Sequence, residues 1–193
     1  MPPTLRLGGP SESEFPFTTA ITYFARASGA SRSGDVVAAD EDVRQLSRIV
    51  DELKAAKDDY WAIEVEVERL GGAAWAAAAR GERDSALKLM REAADMEDAS
   101  DKAAVTPSRP LPARELLGDM LLQFGRPVEA LAAHQGSETP DPKRFRTLWG
   151  AGQAAAAAGE RDKAWDYFAR LVDMAGEGQR PELAKARKYL TSR

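Results

Sequence analysis

The chain contains no cysteine and only one histidine, His134. The first absence removes disulfides, thiolate metal sites and cysteine nucleophiles. With one imidazole left, any metal would rest on carboxylates alone, a donor set for magnesium or calcium and not for zinc. The carboxylates Asp95, Glu97, Asp98 and Asp101 cluster in sequence, but without the central glycine and terminal glutamate of a calcium loop they read as a solvated helix end. No metal and no cofactor is expected. No apolar run approaches the ~18 residues of a membrane span. The opening residues carry Glu12 and Glu14 without a hydrophobic stretch, so they do not read as a signal peptide, and a cytoplasmic location without membrane contact is expected. Positive charge is not in excess either. A net charge of −4 offers no electrostatic basis for binding nucleic acid, which calls for a basic face. Arg180, Lys185, Arg187, Lys188 and Arg193 read as the wet side of a final helix. Phosphate loops, Gly-x-Ser-x-Gly elbows and His-Glu-x-x-His motifs are all missing, so no enzyme is expected.

What is present is alanine, in abundance, and a helical rhythm. Residues 1–17 hold four of the eleven prolines and read as an irregular tail. Helical spacing begins after Thr18 or Thr19, with Ile21, Phe24, Ala25 and Ser28 on one face. Gly34-Asp35 breaks it, and Val36, Val43, Leu46, Val50 and Leu53 mark a second helix. From Asp58 or Asp59 a long helix carries Tyr60, Ile63, Val67, Leu70, Ala74 and Ala77. Its Glu64-Val65-Glu66-Val67-Glu68 run alternates like a strand, but flanking helix formers and the lack of bounding turn residues favour helix.

Glycine and alanine recur at a fixed offset. Gly118, Gly125 and Ala130 return 34 positions later as Gly152, Gly159 and Ala164. The same Gly-x4-Ala signal occurs as Gly81 to Ala86 and Gly34 to Ala39. The 44 residues from Ala86 to Ala130 exceed the period by ten, and the Asp-, Ser- and Pro-rich segment 98–110 accounts for the excess. Pro142 lies where a proline would close a unit. Pro181 opens a last amphipathic helix with Leu183, Ala186 and Leu190 on its apolar side.

A 34-residue period of small, large and turn positions resembles the tetratricopeptide repeat, a helix–turn–helix unit that must stack on neighbours to bury its apolar face. Leu117, Gly118, Leu121, Gly125, Ala130 and Pro142 carry the resemblance in one unit; Leu148, Gly152, Gly159, Ala164 and Phe168 carry it in the next. It implies an all-α fold, a right-handed superhelical solenoid of antiparallel helix pairs. About four hairpins are expected (20–56, 59–98, 111–144 and 145–178), with a capping helix over 181–191. Phe24-Ala25-Arg26-Ala27, Ser33-Gly34-Asp35, Val105-Thr106-Pro107 and Leu111-Pro112-Ala113-Arg114-Glu115 further resemble the C-terminal part of larger bacterial repeat proteins with more helical repeats before this region.

The resemblance also implies a partner-binding scaffold or adaptor, non-catalytic, for a protein or peptide. Threading its register sends Phe24, Trp75, Glu115, Asp119, Trp149 and Gln153 toward the concave side, where rings beside acids would receive a peptide with basic and apolar residues. The two tryptophans admit a second reading, as core between repeats. Phe24, Ser28, Gly72, Pro112 and Leu116 occupy the places of a carboxylate-holding Lys/Asn/Arg set, which argues against that mode. His134 falls where a repeat places a packed aromatic. Two rival functions remain: a structural platform, for oligomerisation or for a missing N-terminal region, through the first helix around Ile21 and Phe24, and a sensor of small molecules beside Trp75 and Trp149.

Overall fold

The computed structural model describes residues 15–100, 111–138 and 142–192. Among these residues there are nine helices and no strand: α1 (Pro16–Ser33), α2 (Val36–Ala55), α3 (Asp59–Ala79), α4 (Arg83–Ala99), α5 (Ala113–Gln123), α6 (Pro127–Glu138), α7 (Phe145–Ala157), α8 (Arg161–Ala175) and α9 (Pro181–Thr191). The alternating run 64–68 is helical, inside α3. α1 begins at Pro16, ahead of the expected cap, and the Thr18 hydroxyl donates to the Phe15 carbonyl within its first turn.

Four hairpin turns repeat one solution, and it explains the Gly-x4-Ala signal. Gly34, Gly81, Gly125 and Gly159 all adopt left-handed φ between 75° and 83°, a conformation that only glycine enters without steric cost. In each turn the next residue's N–H reaches back five positions: Asp35 to Ala30, Glu82 to Ala77, Arg126 to Leu121, and Glu160 to Ala155. That bond satisfies a carbonyl left open by the helix end. The same residue's carbonyl then accepts from the alanine four positions on, which opens the next helix: Ala39, Ala86, Ala130 and Ala164. All four alanines are fully buried. A methyl group there lets the second helix of each hairpin lie close against its neighbours.

The chain divides into two compact units, one ending at Ala113 and the other starting at Arg114. In the first, α1 packs on α2 and α3, and α3 also packs on α2 and α4. Its core is formed by Phe24, Leu46, Val65, Leu70, Trp75 and Met90. Glu97, expected as part of a solvated helix end, is instead buried, because its carboxylate accepts the Ala113 N–H at 2.7 Å. Asp101 and the Val105-Thr106-Pro107 segment lie outside the described residues.

In the second unit, α6 packs on α7, α7 on α8, and α8 on α9. Here the repeat is visible as a ring set into a glycine. A Cβ on Gly118 would come within 2.6 Å of the His134 imidazole, and one on Gly152 within 2.5 Å of the Phe168 ring. The two pairs are one period apart. α9 buries Leu183 and Ala186 and brings Tyr189 to 5.0 Å from Phe168, so the last helix covers an aromatic that α8 alone would expose.

Candidate functional site

The six residues expected to line one surface do not all do so. Phe24 and Trp75 belong to the first unit and are both core side chains. Phe24 fills the space that the missing side chain of Gly71 leaves, where a Cβ would approach its ring to 3.2 Å. Trp75 is only 3 % exposed, with the Arg32 guanidinium 4.7 Å from its ring centroid. The physical reason is one of volume. α1 and α3 are rich in alanine and glycine, and the rings supply the bulk their contact needs. Burial also removes Phe24 from the self-association surface suggested for the first helix, although Ile21 remains exposed.

The other four residues lie in the second unit. Glu115 is completely buried and is therefore not a surface acid. It accepts from Arg144 Nε at 2.7 Å and from the Thr147 hydroxyl, while its second oxygen has no partner. A buried carboxylate without such donors would be strongly penalised, which is why the sequence supplies both from the start of the next hairpin. One turn along α5, Asp119 is half-buried and accepts from Arg146 Nη2. The spacing of Glu115 and Asp119 thus places two acids on one helix face, but Arg144 at the cap of α7 and Arg146 within it answer both.

Trp149 and Gln153 remain half-exposed on α7. The Trp149 ring rests on Phe168, with centroids 5.5 Å apart. Arg146, Trp149 and Gln153 follow one another at i, i+3 and i+7, so they share a face of α7, and Asp119 joins them through Arg146. Beneath this stripe lies His134, fully buried between Gly118 of α5 and Gly150 of α7. Neither ring nitrogen has a hydrogen-bond partner; Asp119 Oδ1 stands 3.8 Å from Nε2. Burial holds its pKa below the ordinary 6.5, Asp119 and Glu115 oppose that shift, and Arg146 adds to it.

Arg144, Arg146 and Thr147 escape a reading of single helices, because their partners lie on α5, 27 to 32 residues earlier. A search for opposite charges slightly less than one 34-residue period apart would have found the two arginines, whereas the uncharged Thr147 leaves no such signal. Among the described residues, no group of three or more His, Asp or Glu side chains is placed to hold a metal ion, and no helix is long and apolar enough to cross a membrane.

No family model and no curated protein matches the chain in sequence. Solved structures do match it. A putative kinesin light chain with TPR-like repeats from Podosopora anserina superposes with a TM-score of 0.58 at 18% identity, covering 94% of this chain and 90% of that one. MamA from Desulfovibrio magneticus RS-1 gives 0.53 at 16%, covering 89% and 91%. PcrH from Pseudomonas aeruginosa gives 0.51 at 17%, covering 65% and 89%. At these identities the likeness is one of fold: an all-α, TPR-like array of helical hairpins.

Proposed function

We propose that the protein is a non-catalytic scaffold that binds a protein or peptide partner on the α5–α7 surface of its second unit, through Trp149, Gln153 and the Asp119–Arg146 pair. The observation that carries this reading is Trp149 itself. Its neighbours in the helix, Leu148 and Gly150, are buried, yet its own large ring stays half-exposed beside an ordered ion pair. Rings and arginines with this exposure supply much of the energy of protein interfaces. The helical-hairpin fold supports the reading, because it presents side chains of successive helices in rows.

The partner's charge needs revising from what the acids alone suggested. With Glu115 tied to Arg144 and Asp119 to Arg146, the surface is charge-balanced at neutral pH, and a preference for basic peptides loses its electrostatic basis. The test is capture of partners from the native cell by the full chain and by Trp149→Ala and Gln153→Ala. Capture should be lost in both while far-ultraviolet circular dichroism retains the helical signal. A partner held equally well by both variants would end this reading.

One observation favours a second reading, self-association through α1. Phe15, at the cap of α1, and Ile21, within it, are exposed, at 56 % and 42 %, and the helix's charged side chains are Arg26 and Arg32 alone. Arg26 is already paired with the buried Asp42 at 3.1 Å. Light scattering across a concentration series, with Ile21→Lys as the monomeric control, tests it.

A further inference from the structure

We infer that His134, which touches no solvent, sets the charge of the proposed binding surface: a proton on its ring draws Asp119 into a second bond and turns the surface around Trp149 net positive, fitting it for an anionic peptide. This inference rests on the reading of that surface as a binding site.

The geometry carries it. The imidazole is held from both sides, since a Cβ at Gly118 or Gly150 would collide with it at 2.6 and 2.3 Å, so it has little freedom to turn away. Of the groups that face it, α5 contributes Glu115 and Asp119, and α7 contributes Arg146; Arg144, at the cap of α7, is paired with Glu115. Along its own helix stands Glu138, already bound by Arg170 of α8. Glu115 is engaged by Arg144 and Thr147. Asp119 is different. Its Oδ2 accepts from Arg146, while its Oδ1 stands 3.8 Å from His134 Nε2, too far for a hydrogen bond and close enough for one to form on a small approach. A protonated ring would donate Nε2–H to Oδ1, closing the gap by about 1 Å to reach a charge-assisted bond. One carboxylate would then serve two cations. Three groups whose charges cancel would become a cluster of plus one, with Arg146 at its exposed edge.

Burial opposes this proton and the nearby carboxylates favour it, so the transition falls below pH 6.5. Below that value an unfolded chain takes up a proton that the native ring resists. Stability is therefore full above 6.5 and declines as pH falls from 6.5 toward the native pKa. The switch must act before that loss unfolds the unit.

The experiment uses the full chain at low salt. Ring ¹⁵N shifts of this lone histidine report its protonation. Anisotropy of a fluorescein-labelled deca-aspartate reports anion binding at pH 7.5 and at the acid side of the ring's midpoint. Wild type should bind the probe roughly fivefold more tightly in acid, the factor for one added unit charge at about 4 Å in water. Asp119→Asn should bind as tightly at pH 7.5 already, and His134→Asn should bind weakly at both values. A ring that stays neutral until the protein unfolds would overturn the inference. So would acid-strengthened binding that survives His134→Asn, or an Asp119→Asn variant no better than wild type at pH 7.5. These outcomes are separate from the Trp149→Ala capture result: a working switch with unaffected capture would sink the binding-surface reading and leave only the proton-driven change of charge standing.

Discussion

Substituting Gly150→Ala tests whether His134 is wedged between two helices. The added methyl would sit 2.3 Å from Cε1 and Nε2 of a ring that is fully enclosed and bounded on its other side by Gly118. Overpacking of a tight core costs about 1–3 kcal/mol, and a ring blocked on both faces belongs at the upper end. Against this, alanine in a helix interior is favoured over glycine by about 1 kcal/mol. The expected net loss is about 2 kcal/mol. Removing the ring reverses the sign: in a His134→Ala background, itself destabilised, Gly150→Ala should stabilise by up to about 1 kcal/mol. The coupling energy of the cycle is then about 3 kcal/mol, the top of the range for residues in contact. Urea denaturation at pH 7.5, followed by circular dichroism for all four proteins, reads it directly. Gly29→Ala supplies the control, because nothing lies within 4 Å of its added methyl on α1 and the helix term should appear alone, as a gain of about 0.5–1 kcal/mol. An equal effect of Gly150→Ala in both backgrounds would refute the wedge.

Two further outcomes follow from burial. Glu68 has a buried oxygen without a partner, and burial, with Glu64 adding to it, pushes its pKa up to about 8. The native state therefore holds a proton that the unfolded chain releases near 4.5, and stability is lost as pH rises between those values. Glu68→Gln should raise the thermal midpoint by an amount that grows from pH 4.5 to 8; a constant difference would place the carboxyl in contact with water. Ending the chain before Pro181 should uncover Phe168 and Leu171, and light scattering should show aggregation, whereas a monodisperse and equally stable product would deny α9 its covering role.

The repeat was legible because its determinants are local. A left-handed glycine, a reaching N–H and a small residue five positions on lie within one turn, so they leave a Gly-x4-Ala signal at Gly34, Gly81, Gly125 and Gly159, of which the last two stand one period of 34 apart. The surface was less legible because its determinants are pairwise and distant. Glu115 looks like a surface acid until Arg144 and Thr147 arrive from the next hairpin, and Trp75 looks like an interface ring until the alanines and glycines around it prove too small to fill the core. Composition shows that such residues exist. Which neighbour reaches each of them depends on helix length, and α3 at 21 residues is much longer than α7 at 13, so one register cannot be carried across both units.

The bond from Glu97 to the Ala113 N–H has a meaning for how this protein tolerates change. It ties Ala113 to a buried carboxylate 16 positions earlier in the chain. Loss of Glu97 would therefore be felt at Ala113, whose buried N–H would be left without an acceptor, a penalty of about 1–3 kcal/mol.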